Sequence, residues 1–148
     1  MPNLMTALDD TVVVEYGQFV VQEAGMLRSP LTLLVPPGEW VAVGGAGGLL
    51  LHSAATDHCP AVRLELWDDA PPSAPDDWDH VVELTCDLQS AVRLQSVTAT
   101  CSAHTLPITR SGAHHARVHA GNQDEAAELD EGTLESGIER WLIQIWQA

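Results

Sequence analysis

Apolar residues recur at every second position along most of this chain, and clusters of Gly and Pro break the runs. A period of two puts alternate side chains on opposite faces of a strand, whereas a helix would need apolar residues three and four apart. In His80–Leu88 (HVVELTCDL), Val82, Leu84, Cys86 and Leu88 alternate with Val81, Glu83, Thr85 and Asp87. Val62, Leu64 and Leu66 alternate with Arg63, Glu65 and Trp67. Thr11–Gln22 carries Val12, Val14 and Tyr16 in one phase, then Phe19 and Val21 in the other after Gly17, a slip that predicts a β-bulge. Leu31–Val35, Glu39–Val43, Leu49–His52, Ala91–Val97, His114–Ala120 and Ile138–Gln147 complete a set of eight or nine short strands. The GGAGG run at 44–48 lacks the lysine of a phosphate loop and reads as a hairpin turn.

The pattern predicts one all-β domain over residues 1–148, an antiparallel β-sandwich with jelly-roll-like or Greek-key connections and at most one short helix. In the last strand Trp141, Ile143 and Ile145 face one way and Leu142 and Trp146 the other, so it belongs in the middle of a sheet or under a cover. Two segments depart from alternation. Residues 68–79 (DDAPPSAPDDWD) form an acidic, proline-rich loop, rigid and exposed, and residues 123–137 form an acidic loop or a short helix begun by Asp124.

Charge narrows the function. The 148 residues hold 21 carboxylates against six basic residues, all arginine, for a net charge of −15, while 45% of residues are apolar. That apolar share excludes a disordered acidic tail, and the scarcity of cations argues against a nucleic-acid backbone as partner. No stretch is apolar enough to span a bilayer, and the start lacks the basic and apolar regions of a signal peptide, so the expectation is a cytoplasmic protein with no membrane association. Cys59, Cys86 and Cys101 are odd in number and form no C-x-x-C pair, as expected of buried thiols rather than a disulfide framework or zinc site.

From Glu65 to Asp87 there are eight carboxylates and no basic residue. A field of that sign speeds encounter with a cationic partner, although an acid-rich surface also serves solubility alone. The expected contact residues are Asp68, Asp69, Asp76, Asp77 and Asp79, with Trp67 and Trp78 as aromatic anchors able to stack on an incoming arginine. Calcium is not expected, because the D-x-D-x-D-G loop is absent, and no cofactor is implied. G-x-S-x-G and H-E-x-x-H motifs are absent as well. The alternative is a small-molecule or hydrolytic pocket formed by His115, Arg117 and His119 with a carboxylate. On a strand His115 and His119 share a face but stand roughly 13 Å apart, too far to share one metal ion. A third reading is an oligomerisation module pairing strand edges.

Tyr16-Gly17-Gln18-Phe19 resembles the Tyr-x-Gln-Phe start of the competence protein J family, small bacterial inhibitors of a DNA-entry nuclease. More of the chain resembles an uncharacterised actinobacterial family of small acidic proteins. That likeness rests on the same four residues, Asp77-Trp78 leading into Val81-Val82-Glu83, Arg117-Val118-His119-Ala120, and Trp141-Leu142-Ile143-Gln144-Ile145-Trp146. The first resemblance implies an inhibitor's binding surface and the second carries no activity. Together with the charge, they lead to an acidic protein-binding module, an inhibitor or immunity-type partner of a basic protein such as a nuclease.

Overall fold

A computed structural model describes residues 1–25, 28–98, 102–132 and 135–148. Among the described residues nine strands form two sheets. They are β1 (Leu4–Thr11), β2 (Gln18–Glu23), β3 (Ala42–Gly45), β4 (Gly48–His52), β5 (Cys59–Trp67), β6 (His80–Leu88), β7 (Val92–Ser96), β8 (Gly112–Gly121) and β9 (Ser136–Gln147). The larger sheet runs β1-β5-β9-β8-β6 and the smaller β3-β4-β2-β7. Their inner faces meet in one apolar cluster, with Val62, Leu64, Ile143, Ile145 and Val118 from the first and Phe19, Val21, Leu51 and Leu94 from the second. Phe19 meets Trp141 edge-on across the gap, centroids 5.3 Å apart. The sandwich expected from alternation is present, and β9 sits at the centre of its sheet. One pair departs from the antiparallel rule: β5 and β9 run parallel.

Three local expectations are corrected. The slip at Gly17 is a chain reversal, not a bulge. Tyr16 (φ 56°) and Gly17 (φ 74°) both lie in the left-handed region, and Glu15 and Gln18 bond to each other across them. That is a two-residue hairpin turn with both central residues at positive φ, as a type I′ turn requires. Phe19 enters the core while Tyr16 is 80% exposed. Leu31–Val35 is not a strand: Pro30–Thr32 is a 3-10 turn begun by Ser29, and Leu34 and Val35 are exposed. Pro30, Pro36 and Pro37 cannot donate to a ladder, and a five-residue, mostly apolar run between them does not by itself distinguish strand from loop. Third, the strand expected at Glu39–Val43 starts later, at Ala42, and runs to Gly45.

The glycine run closes the β3–β4 hairpin. At Gly48 (φ 142°) a Cβ would lie 1.9 Å from the Val21 carbonyl oxygen, so only glycine fits. The acidic segment 123–137 contains the helix α1 (Gln123–Ala127), which starts one residue before Asp124; Asn122 holds the N-cap position without a bond from its side chain. Cys86 is buried and Cys59 half-buried, both as free thiols; Cys101 lies outside the described residues. Among the described residues no helix is long and apolar enough to cross a membrane.

Candidate functional site

β5 and β6 are parallel but separated in the sheet by β9 and β8, and β6 begins at the end where β5 begins. The chain between them therefore crosses the outer face of the larger sheet. That connection is the acidic proline-rich segment 68–79, and we call it the strap. It lies over the sheet with most of its residues exposed, fixed at several points.

The face beneath it is polar, row by row. Glu65, Gln144, Arg117 and Glu83 are consecutive partners across β5, β9, β8 and β6. The next row is Asp9, Arg63, Leu142, His119 and Val81. On the other side lie Trp67, Trp146, His115 and Thr85. Although they point away from the core, Glu65, Gln144, His119 and Trp146 are all buried. Buried polar groups need partners, and most here have them. Glu65 accepts from Arg63 Nε at 2.8 Å, Trp67 Nε1 at 2.8 Å and Gln144 Nε2 at 3.1 Å. Burial opposes its ionisation, but these bonds outweigh it and hold the carboxyl below the ordinary carboxylate range.

Arg117 ties the strap down. Its Nη1 donates to the Pro71 carbonyl at 2.9 Å, its Nε to Glu83 at 2.9 Å, and its guanidinium stacks 5.3 Å from the Trp146 ring centroid. Trp78 forms the second anchor, between Arg140 (4.7 Å to the ring centroid) and His119 (5.3 Å between rings). Gly121 makes room for the indole, since a Cβ there would stand 3.1 Å from Cε3. At the strap's ends Asp68 accepts from Asn3 through both oxygens, and Asp79 accepts from Gln123 N at 2.9 Å, capping α1. The bonds from the Asn3 backbone and side chain lower the Asp68 pKa.

The seven expected contact residues thus divide. Asp68 and Asp79 hold the strap, and Trp67 and Trp78 are half-buried against the sheet. Asp69 bonds its own loop at Ala70 N, Asp76 approaches Arg140 at 3.6 Å, and Asp77 has neither hydrogen bond nor ion pair among the described residues. All five aspartates are exposed and belong to one element. His115, Arg117 and His119 share the outer face of β8 as expected. They open into different spaces, however: Arg117 and His119 line a groove of about 320 Å³ under the strap, and His115 lines another beside Leu34 and Val43. His119 Nδ1 bonds the Leu142 carbonyl at 3.0 Å, and burial, more than any other cause, depresses its pKa. Among the described residues no group of three His, Cys, Asp or Glu is placed to hold a metal ion.

Two features escaped the sequence reading. One is a cavity of about 350 Å³ between the strap, β1, β5 and β9, lined by Asp9, Asp10, Arg63, Asp76, Trp78 and Arg140 among others. The other is a fully buried Ser53–His58–Glu139 cluster. Ser53 Oγ donates to Glu139 at 2.8 Å, which leaves His58 Nε2–H to donate to Ser53 at 2.7 Å. Ala54 N and Trp141 Nε1 also donate to Glu139, at 2.9 and 2.6 Å. In a hydrolytic triad the imidazole takes the hydroxyl proton and the carboxylate orients the imidazole. Here the hydroxyl donates its hydrogen bond to the carboxylate and not to the imidazole, and it is sealed from solvent. This cluster holds the 53–58 loop to β9.

The fold has known counterparts. The chain is similar to the crystal structure of ComJ, inhibitor of the DNA degrading activity of NucA, from Bacillus subtilis, with a TM-score of 0.61 at 10% identity over 100% of this chain and 99% of that one. It is equally similar, TM-score 0.61, to the protein described as crocagin biosynthetic gene J, at 14% identity over 97% of this chain and 99% of the other. At such identities the likeness is one of fold. No family model matches the sequence, and no curated protein matches it. The competence-protein resemblance is thus supported at the level of architecture, and the actinobacterial one receives no support.

Proposed function

We propose that this protein works by binding, as an inhibitor-type module whose strap-covered face docks a basic protein partner of the nuclease class. The observation that carries the reading is the strap itself, five exposed aspartates on one extended element anchored to a sheet by Arg117 and Trp78. A nuclease cleft is built to receive phosphates, so its cations match a rigid row of carboxylates, and occlusion follows without chemistry. The shared fold with ComJ is consistent with that role. The grooves beside His115, Arg117 and His119 favour no reaction, since Arg117 and His119 are engaged in holding the strap and β9.

The test compares wild type with the triple variant Asp69→Asn, Asp76→Asn, Asp77→Asn, whose changes spare the anchoring residues. Immobilised wild type should retain a basic protein from its native lysate at low salt and release it at high salt, and purified wild type should inhibit that protein's DNA-degrading activity. The triple variant should retain it weakly. Retention unaffected by both salt and these three substitutions would overturn the reading.

A further inference from the structure

The cavity under the strap has a floor and a rim of different character. Ala61 and Leu142 supply apolar floor from β5 and β9, and Trp78 supplies a wall. Around them stand four carboxylates, Asp9, Asp10, Glu65 and Asp76, against two guanidinia, Arg63 and Arg140, a net charge of −2. Both guanidinia are already engaged. Arg63 lies between Asp9 (2.7 Å) and Glu65 (2.8 Å), and Arg140 lies over the Trp78 ring. Asp9 and Asp76 keep 71% and 61% of their side-chain surface in solvent, and Asp76 accepts no hydrogen bond among the described residues.

At about 350 Å³ the space is at the small end of ligand pockets, which run from ~300 to 1,000 Å³, and so suits one side chain better than a cofactor. An occupant must offer an apolar stem to Ala61 and Leu142 and a cation to Asp9 and Asp76. An arginine side chain has both: three methylenes and a planar guanidinium that bonds carboxylates in pairs. We propose that this cavity is a socket for an arginine side chain of the protein partner. The inference rests on the docking role given to the strap and assigns it a point of specificity, because a lysine ammonium lacks the paired donors that two separate carboxylates reward.

The test uses acetylated, amidated nona-arginine and nona-lysine peptides titrated into the full-length protein by calorimetry at low salt. Wild type should bind nona-arginine about tenfold more tightly than nona-lysine. Ala61→Trp fills the floor without changing the charge, and should abolish that preference while leaving nona-lysine binding within about twofold. Leu142→Trp fills the cavity from β9 and gives the same comparison should Ala61→Trp fail to fold, as judged by its circular dichroism. If a folded filling variant keeps the preference for arginine, or wild type shows none, the socket is overturned while the acidic docking face stands. If wild type binds neither peptide at low salt, both readings fall.

Discussion

Glu139→Ala tests whether the buried Ser53–His58–Glu139 cluster is a structural clamp. Glu139 is fully buried and accepts from Ser53 Oγ, Ala54 N and Trp141 Nε1, all within 2.9 Å. Alanine leaves these donors facing a cavity, and each buried donor without a partner costs about 1–3 kcal/mol. Relief from burying a charge offsets part of that loss, so the expected destabilisation is about 3–4 kcal/mol. For a chain of this length each kcal/mol lowers the melting temperature by roughly 2–4 °C, so a fall of about 10 °C should follow. Glu139→Gln keeps the volume but turns an amide N–H₂ toward one set of donors, and should lose roughly half as much. The assay is urea unfolding followed by tryptophan fluorescence. A double-mutant cycle with Ser53→Ala should show coupling of about 1 kcal/mol or more, since the two side chains share one bond. If Glu139→Ala unfolds within about 1 kcal/mol of wild type, the cluster is not holding the loop to β9.

Four further outcomes are expected. His58 and His119 both have pKa values lowered chiefly by burial, so the unfolded chain takes up protons near the ordinary imidazole value of 6.5 while the folded chain resists; stability should be complete above that pH and fall as pH drops through the lowered folded values, read as a lower urea midpoint at pH 5.5 than at 7.5. Deleting the last eight residues removes most of β9 from between β5 and β8, and the product should show no cooperative thermal transition. Tyr16→Gly relieves an exposed residue held at φ 56° and should stabilise the fold by about 1 kcal/mol in the same urea assay. Replacing Pro72 and Pro75 by glycine frees the strap's unfolded chain, at about 0.4–1 kcal/mol each, and amide exchange across 68–79 should accelerate while the two sheets stay protected.

Strands whose one face enters the core could be read directly. The alternation in His80–Leu88 and the two apolar faces of Ile138–Gln147 placed β6 and β9 well, because burial on the inner face imposes the period. β1 was not legible. It is an edge strand pairing only with β5, its residues are half-buried or exposed, and nothing forces Asp9 and Asp10 to alternate with apolar neighbours. The turn at Tyr16-Gly17 was misread because a tyrosine at positive φ is rare, whereas Asn-Gly would have signalled the hairpin. For the site, the strap's acids and tryptophans were visible as a run. Its anchors were not, because Arg117 and Arg140 come from strands remote in sequence, and the parallel pairing that brings β9 beside β5 leaves no local mark.

That topology also explains why the acids cluster where they do. From Trp67 to His80 the chain has thirteen steps, a reach of about 43–47 Å when extended. The gap it spans is five residues along the strands and three strand spacings across, roughly 22 Å on the diagonal. Length alone therefore leaves the strap free to wander, and what holds it is the proline-stiffened backbone with the Arg117–Pro71 and Trp78–Arg140 contacts. A helix in this place would turn a whole face onto the sheet; an extended strap of this kind buries Pro71 and part of Trp78 and turns the rest outward. Side chains that gain nothing from the sheet are free to be charged. The cations that pair with the 65–87 run stand outside it: Arg63 for Glu65, Arg140 for Asp76, Arg117 for Glu83, Arg28 for Asp87. All but the Asp76 pair lie on or beside a strand, whereas Asp69 and Asp77 on the strap have no ion pair among the described residues. Within the 65–87 run the uncompensated charge is thus concentrated on the element that the sheet both supports and leaves open to a partner.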